Sequence, residues 1–171
     1  MKKPLNTLIF GASYGSLLAT KLALAGHDAT MVCTPAEAEL FNSAGAVVRL
    51  PVKGRAELVE VNSRKLPGKL AACTPAEART SGVDLVVLGM QEPQYRSPGV
   101  RELLAAVAQA KLPCMSIMNI PPLPYLARIP GLAVEKLRDC YADATVWDGF
   151  DPAYMTPVSY THLTLPTKRI V

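Results

Sequence analysis

The segment Gly11-Ala12-Ser13-Tyr14-Gly15-Ser16 is the part of the chain best suited to chemistry. An apolar run leads into it and a helical pattern leaves it. A strand, a glycine turn and a helix in that order hold a dinucleotide pyrophosphate, because free N–H groups and the helix dipole both favour an anion there. The spacing is G-x-x-x-G, one residue shorter than G-x-G-x-x-G, with Ser13 where the second glycine would lie. Such turns also arise for purely structural reasons, so phosphate binding and a plain turn both stand on the motif alone. A side chain at Gly15 is expected to obstruct the pyrophosphate and weaken binding more than folding. Cys33-Thr34 ends the second strand, where an acid would take the ribose hydroxyls of NAD and an arginine the phosphate of NADP. It offers neither, which removes the usual obstacle to NADP, and Thr34 also reads as a helix cap. Asn119 ends a buried strand at the carboxyl edge of a parallel sheet, where ligands bind, although an asparagine there can also serve only as a turn cap.

Strands and helices alternate around these residues. Leu5 to Phe10, Ala29 to Cys33, Asp84 to Met90 and Cys114 to Met118 read as strands, the third carrying the unbroken run Leu85-Val86-Val87-Leu88. Helical spacing runs from Ser16 to Ala25, closed by Gly26, and from Pro98 to Lys111. Thr34-Pro35-Ala36-Glu37 has a capping threonine, a proline in the first helical position and a glutamate three residues after the cap, so it opens a helix. The same pentapeptide recurs at Thr74 to Ala78, and a second helix start is expected there. Ala46 to Leu50 and Glu57 to Val61 read as antiparallel or edge strands about the turn Lys53-Gly54-Arg55. Prolines 121, 122, 124 and 130 make regular structure doubtful until about Val134. The pattern predicts an α/β fold, doubly wound and mainly parallel, with helices on both faces.

Composition removes several classes. The 171 residues are half hydrophobic and 19% charged, enough to bury a core and too apolar for global disorder. No apolar run approaches the ~18 residues of a membrane span, so no membrane partner is expected. The N-terminal apolar run is too short for a signal peptide, and a cytoplasmic location is the expectation. The four cysteines are widely spread without a Cys-x-x-Cys pattern, and only two histidines are present, so neither a metal site nor a disulfide framework is expected. Cys33, Cys73, Cys114 and Cys140 read as small hydrophobes and His27 as a surface residue closing the first helix. A net charge of +4 without clustering gives no nucleic-acid face.

Ile9-Phe10-Gly11-Ala12, Gly15-Ser16-Leu17-Leu18-Ala19 and Leu22-Ala23-Leu24-Ala25-Gly26-His27-Asp28 resemble the opening of ketopantoate reductases, of the 6-phosphogluconate-dehydrogenase-like group. The segment from Val83 to Tyr95 resembles the fourth strand of that family and the loop after it. Ser116-Ile117-Met118-Asn119 resembles its fifth strand, which ends in an asparagine beside nicotinamide and substrate. The resemblance covers Lys3 to Asn119. It implies a Rossmann-like NAD(P)-binding domain over residues 1–157, NADP as the preferred cofactor, and a small-molecule 2-oxo acid as the substrate reduced. It places Gly11, Ala12, Ser13, Tyr14, Gly15, Ser16, Thr34 and Gln91 around the cofactor and gives Asn119 the orientation of substrate and nicotinamide. Gln91 stands where the family has a lysine, and Ile120-Pro121-Pro122 replaces a glycine after Asn119. The family's catalytic lysine and substrate-anchoring carboxylate come from a helical C-terminal domain that this chain lacks, so the intact parent is the reductase. The alternative is a Rossmann-like nucleotide-binding or sensor protein without redox chemistry. Trp147, Phe150 and Tyr154 would then either begin an interface to that further domain or lie exposed.

Val158 to Thr167 resembles a translated sequencing adapter, so 158–171 is expected to be a non-native tail outside the core. The alternative is a natural threonine-rich tail with β propensity.

Overall fold

The computed structural model describes residues 3–157; the tail expected to be non-native lies outside the described residues. The first apolar run forms β1 (Asn6–Phe10), and the glycine turn feeds α1 (Gly15–Leu24). There follow β2 (Asp28–Val32), α2 (Pro35–Ala44), and the hairpin strands β3 (Val47–Leu50) and β4 (Val59–Asn62). The chain continues through β5 (Leu70–Cys73), β6 (Leu85–Leu88), α3 (Val100–Gln109), β7 (Cys114–Ser116), the single turn α4 (Leu123–Leu126) and β8 (Met155–Pro157). Six strands make one parallel sheet in the order β5-β2-β1-β6-β7-β8, while β3 and β4 pair antiparallel as a separate ribbon.

Alternation along each strand separates two cores. Ile9, Ala29, Met31, Ala72 and Val87 face α1 and α2, meeting Ala19 and Ala38. Leu8, Phe10, Val32, Val86 and Leu88 face the other way, under Val100, Leu103, Leu104 and Val107 of α3. That second core also takes Tyr141, Val146, Trp147 and Phe150 from the connection between β7 and β8. Trp147 is 2% exposed and Phe150 9%, so the sequence reading of this group as an interface or an exposed surface is corrected for those two; only Tyr154 is exposed. The proline-rich stretch is ordered by packing rather than by long helices. Arg101 joins Asp143 in an ion pair and donates to Thr145 Oγ1 (2.7 Å), and Arg128 Nη1 donates to Met155 O (3.0 Å).

The repeated pentapeptide has two fates. At α2, Glu37 folds back on Thr34, and ten helical residues follow. At 74–78, Glu77 makes the same contacts with Thr74, yet only a turn forms, correcting the expected second helix. The residues that follow decide this. Glu39-Leu40-Phe41 propagates a helix, whereas Arg79-Thr80-Ser81-Gly82 does not. Arg79 Nη1 also takes the carbonyls of Ala76, Glu77 and Ala78, closing the turn on itself.

Two close contacts hold the β2–β5 side. Gly68 is buried against the end of α1, and its N–H donates to Ala23 O (2.9 Å). At the sheet edge, Asn42 of α2 bonds the outward side of Ala72 twice. Its Nδ2 donates to Ala72 O (2.7 Å) and its Oδ1 accepts from Ala72 N (3.0 Å). No helix among the described residues is long and apolar enough to cross a membrane.

Candidate functional site

Register brings the candidate residues to one edge. Phe10 pairs with Val32 on one side and Leu88 on the other, and Leu88 pairs with Ser116. Residues 11–16, Thr34, 89–92 and 117–120 therefore all leave the sheet at its carboxyl edge. β1 continues through α1 to the strand on one side, and β6 through α3 to the strand on the other. The segments leaving β1 and β6 consequently diverge and open a crevice between them.

The turn at this crevice is built for close approach. Gly11 has φ +97°, a conformation that L side chains rarely adopt. A Cβ there would lie 3.1 Å from Met90 Cγ and 3.2 Å from the Gly89 carbonyl oxygen. The Gly11 N–H donates to Val32 O (2.9 Å), and Gly89 N–H donates to Phe10 O (3.0 Å), tying the turn to both neighbours. Tyr14 is the N-cap of α1 and makes no side-chain capping bond. No side chain competes for the N–H groups of Tyr14 and Gly15 at that helix start. Ser13 and Tyr14 are exposed above the turn and Ala12 is buried beneath it. Ser16 Oγ donates to Ser13 O (3.2 Å) and Ser16 N–H to Ala12 O (2.9 Å), tightening the entry. The chemistry available here is reception of an anion.

In chain order the six strands lie 3-2-1-4-5-6, and the crevice between the first and fourth is the switch point at which such sheets take dinucleotides. The fold is Rossmann-like. No family model and no curated protein matches the chain. Among solved structures it is similar to a protein assigned as a ketopantoate reductase from Ralstonia solanacearum MolK2, with a TM-score of 0.57 and 19% identity. That match covers 91% of this chain and 44% of the other. It is also similar to 2-dehydropantoate 2-reductase from Methylococcus capsulatus, at 22% identity and a TM-score of 0.48, over 67% of this chain and 34% of that one. The chain spans less than half the length of either protein.

Within the Rossmann-like frame Gly15 does a different job from the one expected. It is buried, and a Cβ on it would lie 2.7 Å from Ile9 Cγ2, on the strand beneath α1. The missing side chain points into the sheet rather than toward a ligand, the part played by the last glycine of the dinucleotide turn. Ile9 is fully buried and β-branched, so it cannot swing aside. Gly15→Ala should therefore lower stability by about 1–3 kcal/mol, and Gly15→Val by more, in urea unfolding. The folded fraction of Gly15→Ala should retain its ligand affinity.

The remaining candidates line the same edge with different degrees of freedom. Asn119 is exposed beyond β7, and its amide makes no hydrogen bond to the described residues. Gln91 is exposed after β6, its N–H donating to Gln94 Oε1 (2.8 Å). Thr34 is occupied: its N–H (2.9 Å) and hydroxyl (2.7 Å) both donate to Glu37 Oε2. It is thus a helix cap whose hydroxyl is already engaged. Cys33 is buried in the inner core, where burial first and the Glu37 charge second push its thiol up to about 11. It is a neutral packing group at pH 7. Below the crevice, Tyr95 is fully buried, and its hydroxyl accepts from Met90 N–H (3.2 Å). The buried Glu92 accepts from Ala142 N–H (3.0 Å), and Tyr141 OH donates to Pro121 O, so residues 141–142 hold the loops carrying Gln91 and Asn119. The sequence reading missed the supports from Tyr141 and Ala142, because contacts between residues 20 and 50 apart leave no local pattern.

Proposed function

We propose that the chain binds a nicotinamide dinucleotide, with the pyrophosphate over residues 11–16 at the start of α1. In this reading it is the dinucleotide-binding half of an NAD(P)H-dependent reductase of 2-oxo acids. The observation that carries the reading is a glycine turn at φ +97°, opening an uncapped helix, at the switch point of the sheet. The residues present fit the group. Gly11 at φ +97° lets the turn pass close against Gly89 and Met90, and exposed Ser13 and Tyr14 leave the start of α1 open. When bound, the reduced nicotinamide supplies hydride. The chain's own part is to hold the phosphates with N–H groups and to present the Asn119 amide, whose N–H can donate to a substrate carbonyl.

No lysine or histidine stands in 11–14, 89–92 or 117–120; of the other acids there, Glu92 is buried and engaged with Ala142 N–H, and Tyr14 stands on the turn proposed to hold the phosphates. Binding without turnover is therefore the behaviour proposed for this chain, and the proton donor of the whole reaction is assigned to residues outside these loops. That observation also gives weight to the second reading, a nucleotide-binding or sensor protein without redox chemistry. Oxidation of bound NADPH by a 2-oxo acid with a longer form of the protein separates the two.

Fluorescence titration with NADH and NADPH tests the site itself. Ser13→Asp places a carboxylate where the pyrophosphate is proposed to rest, and should weaken binding about tenfold or more by charge repulsion. Because Ser13 is exposed, stability should change by no more than roughly 0.5 kcal/mol. Equal affinity in parent and variant would place the phosphates elsewhere.

A further inference from the structure

We propose that Glu37 makes this site selective for the dinucleotide without a 2′-phosphate, NAD(H) over NADP(H). The inference rests on the dinucleotide reading above and reverses the preference drawn from the sequence. That preference followed from the lack of an acid at Cys33-Thr34, the end of β2. The structure supplies an acid from the next turn of chain. Glu37, in the first turn of α2, folds back so that Oε2 accepts both the N–H and the hydroxyl of Thr34, at 2.9 and 2.7 Å. Its carboxylate is thereby fixed at the carboxyl end of β2, next along the sheet edge from the Gly11 turn. In such sheets the ribose hydroxyls of the adenosine half are met at the end of this strand.

Only one carboxylate oxygen is engaged; Oε1 accepts nothing from the described residues and is available to a ribose hydroxyl. The next strand end repeats the arrangement. Glu77 Oε2 accepts from the N–H and hydroxyl of Thr74 (2.9 and 2.8 Å), putting a second carboxylate beside β5. Arg79, close to Glu77, has its Nη1 held by the carbonyls of Ala76, Glu77 and Ala78, which directs that nitrogen onto its own turn. A 2′-phosphate at the end of β2 would therefore meet the fixed Glu37 carboxylate, whereas a 2′-hydroxyl would meet an acceptor.

The experiment is fluorescence titration of the full 171-residue chain with NADH and NADPH, repeated with ADP-ribose and its 2′-phosphate as competitors. The parent should bind NADH about fivefold to tenfold more tightly than NADPH, with the same order for the competitors. Glu37→Gln keeps an acceptor for Thr34 and hence the cap, but removes the charge, and should bring the two affinities within about twofold. Its far-ultraviolet circular dichroism should match the parent, showing that α2 is intact. A parent that binds NADPH as tightly as NADH, or an affinity ratio unchanged in Glu37→Gln, would overturn the proposal while leaving the dinucleotide reading standing. Binding of neither nucleotide would overturn both.

Discussion

Gly68→Ala should be the most damaging single methyl that can be added to this protein. The new Cβ would lie 2.1 Å from the His27 carbonyl oxygen, 2.8 Å from its carbon and 3.0 Å from Ala23 Cα. All three are backbone atoms, so no rotamer change relieves the clash. Relief requires the 66–69 segment to move away from the end of α1, breaking the Gly68 N–H bond to Ala23 O and disturbing the entry into β5. Lys69 N–H, which donates to Asp28 Oδ1 (2.8 Å), would be pulled away with it. A loss of at least about 3 kcal/mol is expected, which is a large share of the stability of an ordinary domain. For a chain of this length that is a fall in Tm of roughly 6–12 °C. Differential scanning calorimetry of parent and variant checks it, and a shift under about 2 °C would show that this segment yields cheaply.

Tyr95→Ala should cost a comparable amount for the opposite reason, a hole rather than a clash. Tyr95 is fully buried between Phe10 at the end of β1 and Trp147 of the last connection, with ring centroids 6.1 and 5.3 Å away. Trp147 continues the contact to Phe150 at 6.0 Å. Truncation removes the central member of this row and leaves a cavity that a sheet and a helix cannot both close. About 3–5 kcal/mol is expected from urea unfolding. Tyr95→Phe isolates the hydroxyl. The ring remains, Met90 N–H loses its acceptor, and the loss should be nearer 1 kcal/mol. Because Met90 also abuts Gly11, Tyr95→Phe is expected to alter nucleotide affinity more than its stability cost alone implies. Titrating both variants at a temperature where each is fully folded separates the two effects.

The elements that the sequence made legible are those whose signal is local. β1, β2 and β6 begin within one residue of the strand starts read from Leu5, Ala29 and Asp84, because short runs rich in apolar and β-branched residues, closed by Gly11, Thr34-Pro35 and Gly89, are strong in themselves. The capping box of α2 was equally plain in Thr34-Pro35-Ala36-Glu37. β5 was not legible, because Leu70-Ala71-Ala72-Cys73 carries no β-branched residue and is a strand only by pairing with β2. β8, three residues ending in proline, is likewise made by its neighbour β7. The twin pentapeptides show the boundary clearly: an identical start signal yields a helix or a bare turn according to what comes next. At the site, the turn was readable as a motif, but which way the bare face of Gly15 points was not. Nor was the position of Glu37, whose capping role was visible while the fixing of its carboxylate at the carboxyl end of β2 was hidden in the fold.

Asn42 carries a consequence for how molecules of this protein meet one another. A parallel sheet that ends on an open strand offers its unpaired N–H and C=O groups to any other chain, and such edges seed intermolecular β-pairing. On β5, Asn42 supplies both halves of a peptide-like partner to Ala72 from within the same molecule. At the far edge, β8 ends in Pro157, which has no N–H to offer. Growth of the sheet from one molecule into the next is therefore obstructed at both ends, on one side by a side-chain amide that imitates the next strand and on the other by an imino acid that cannot greet one.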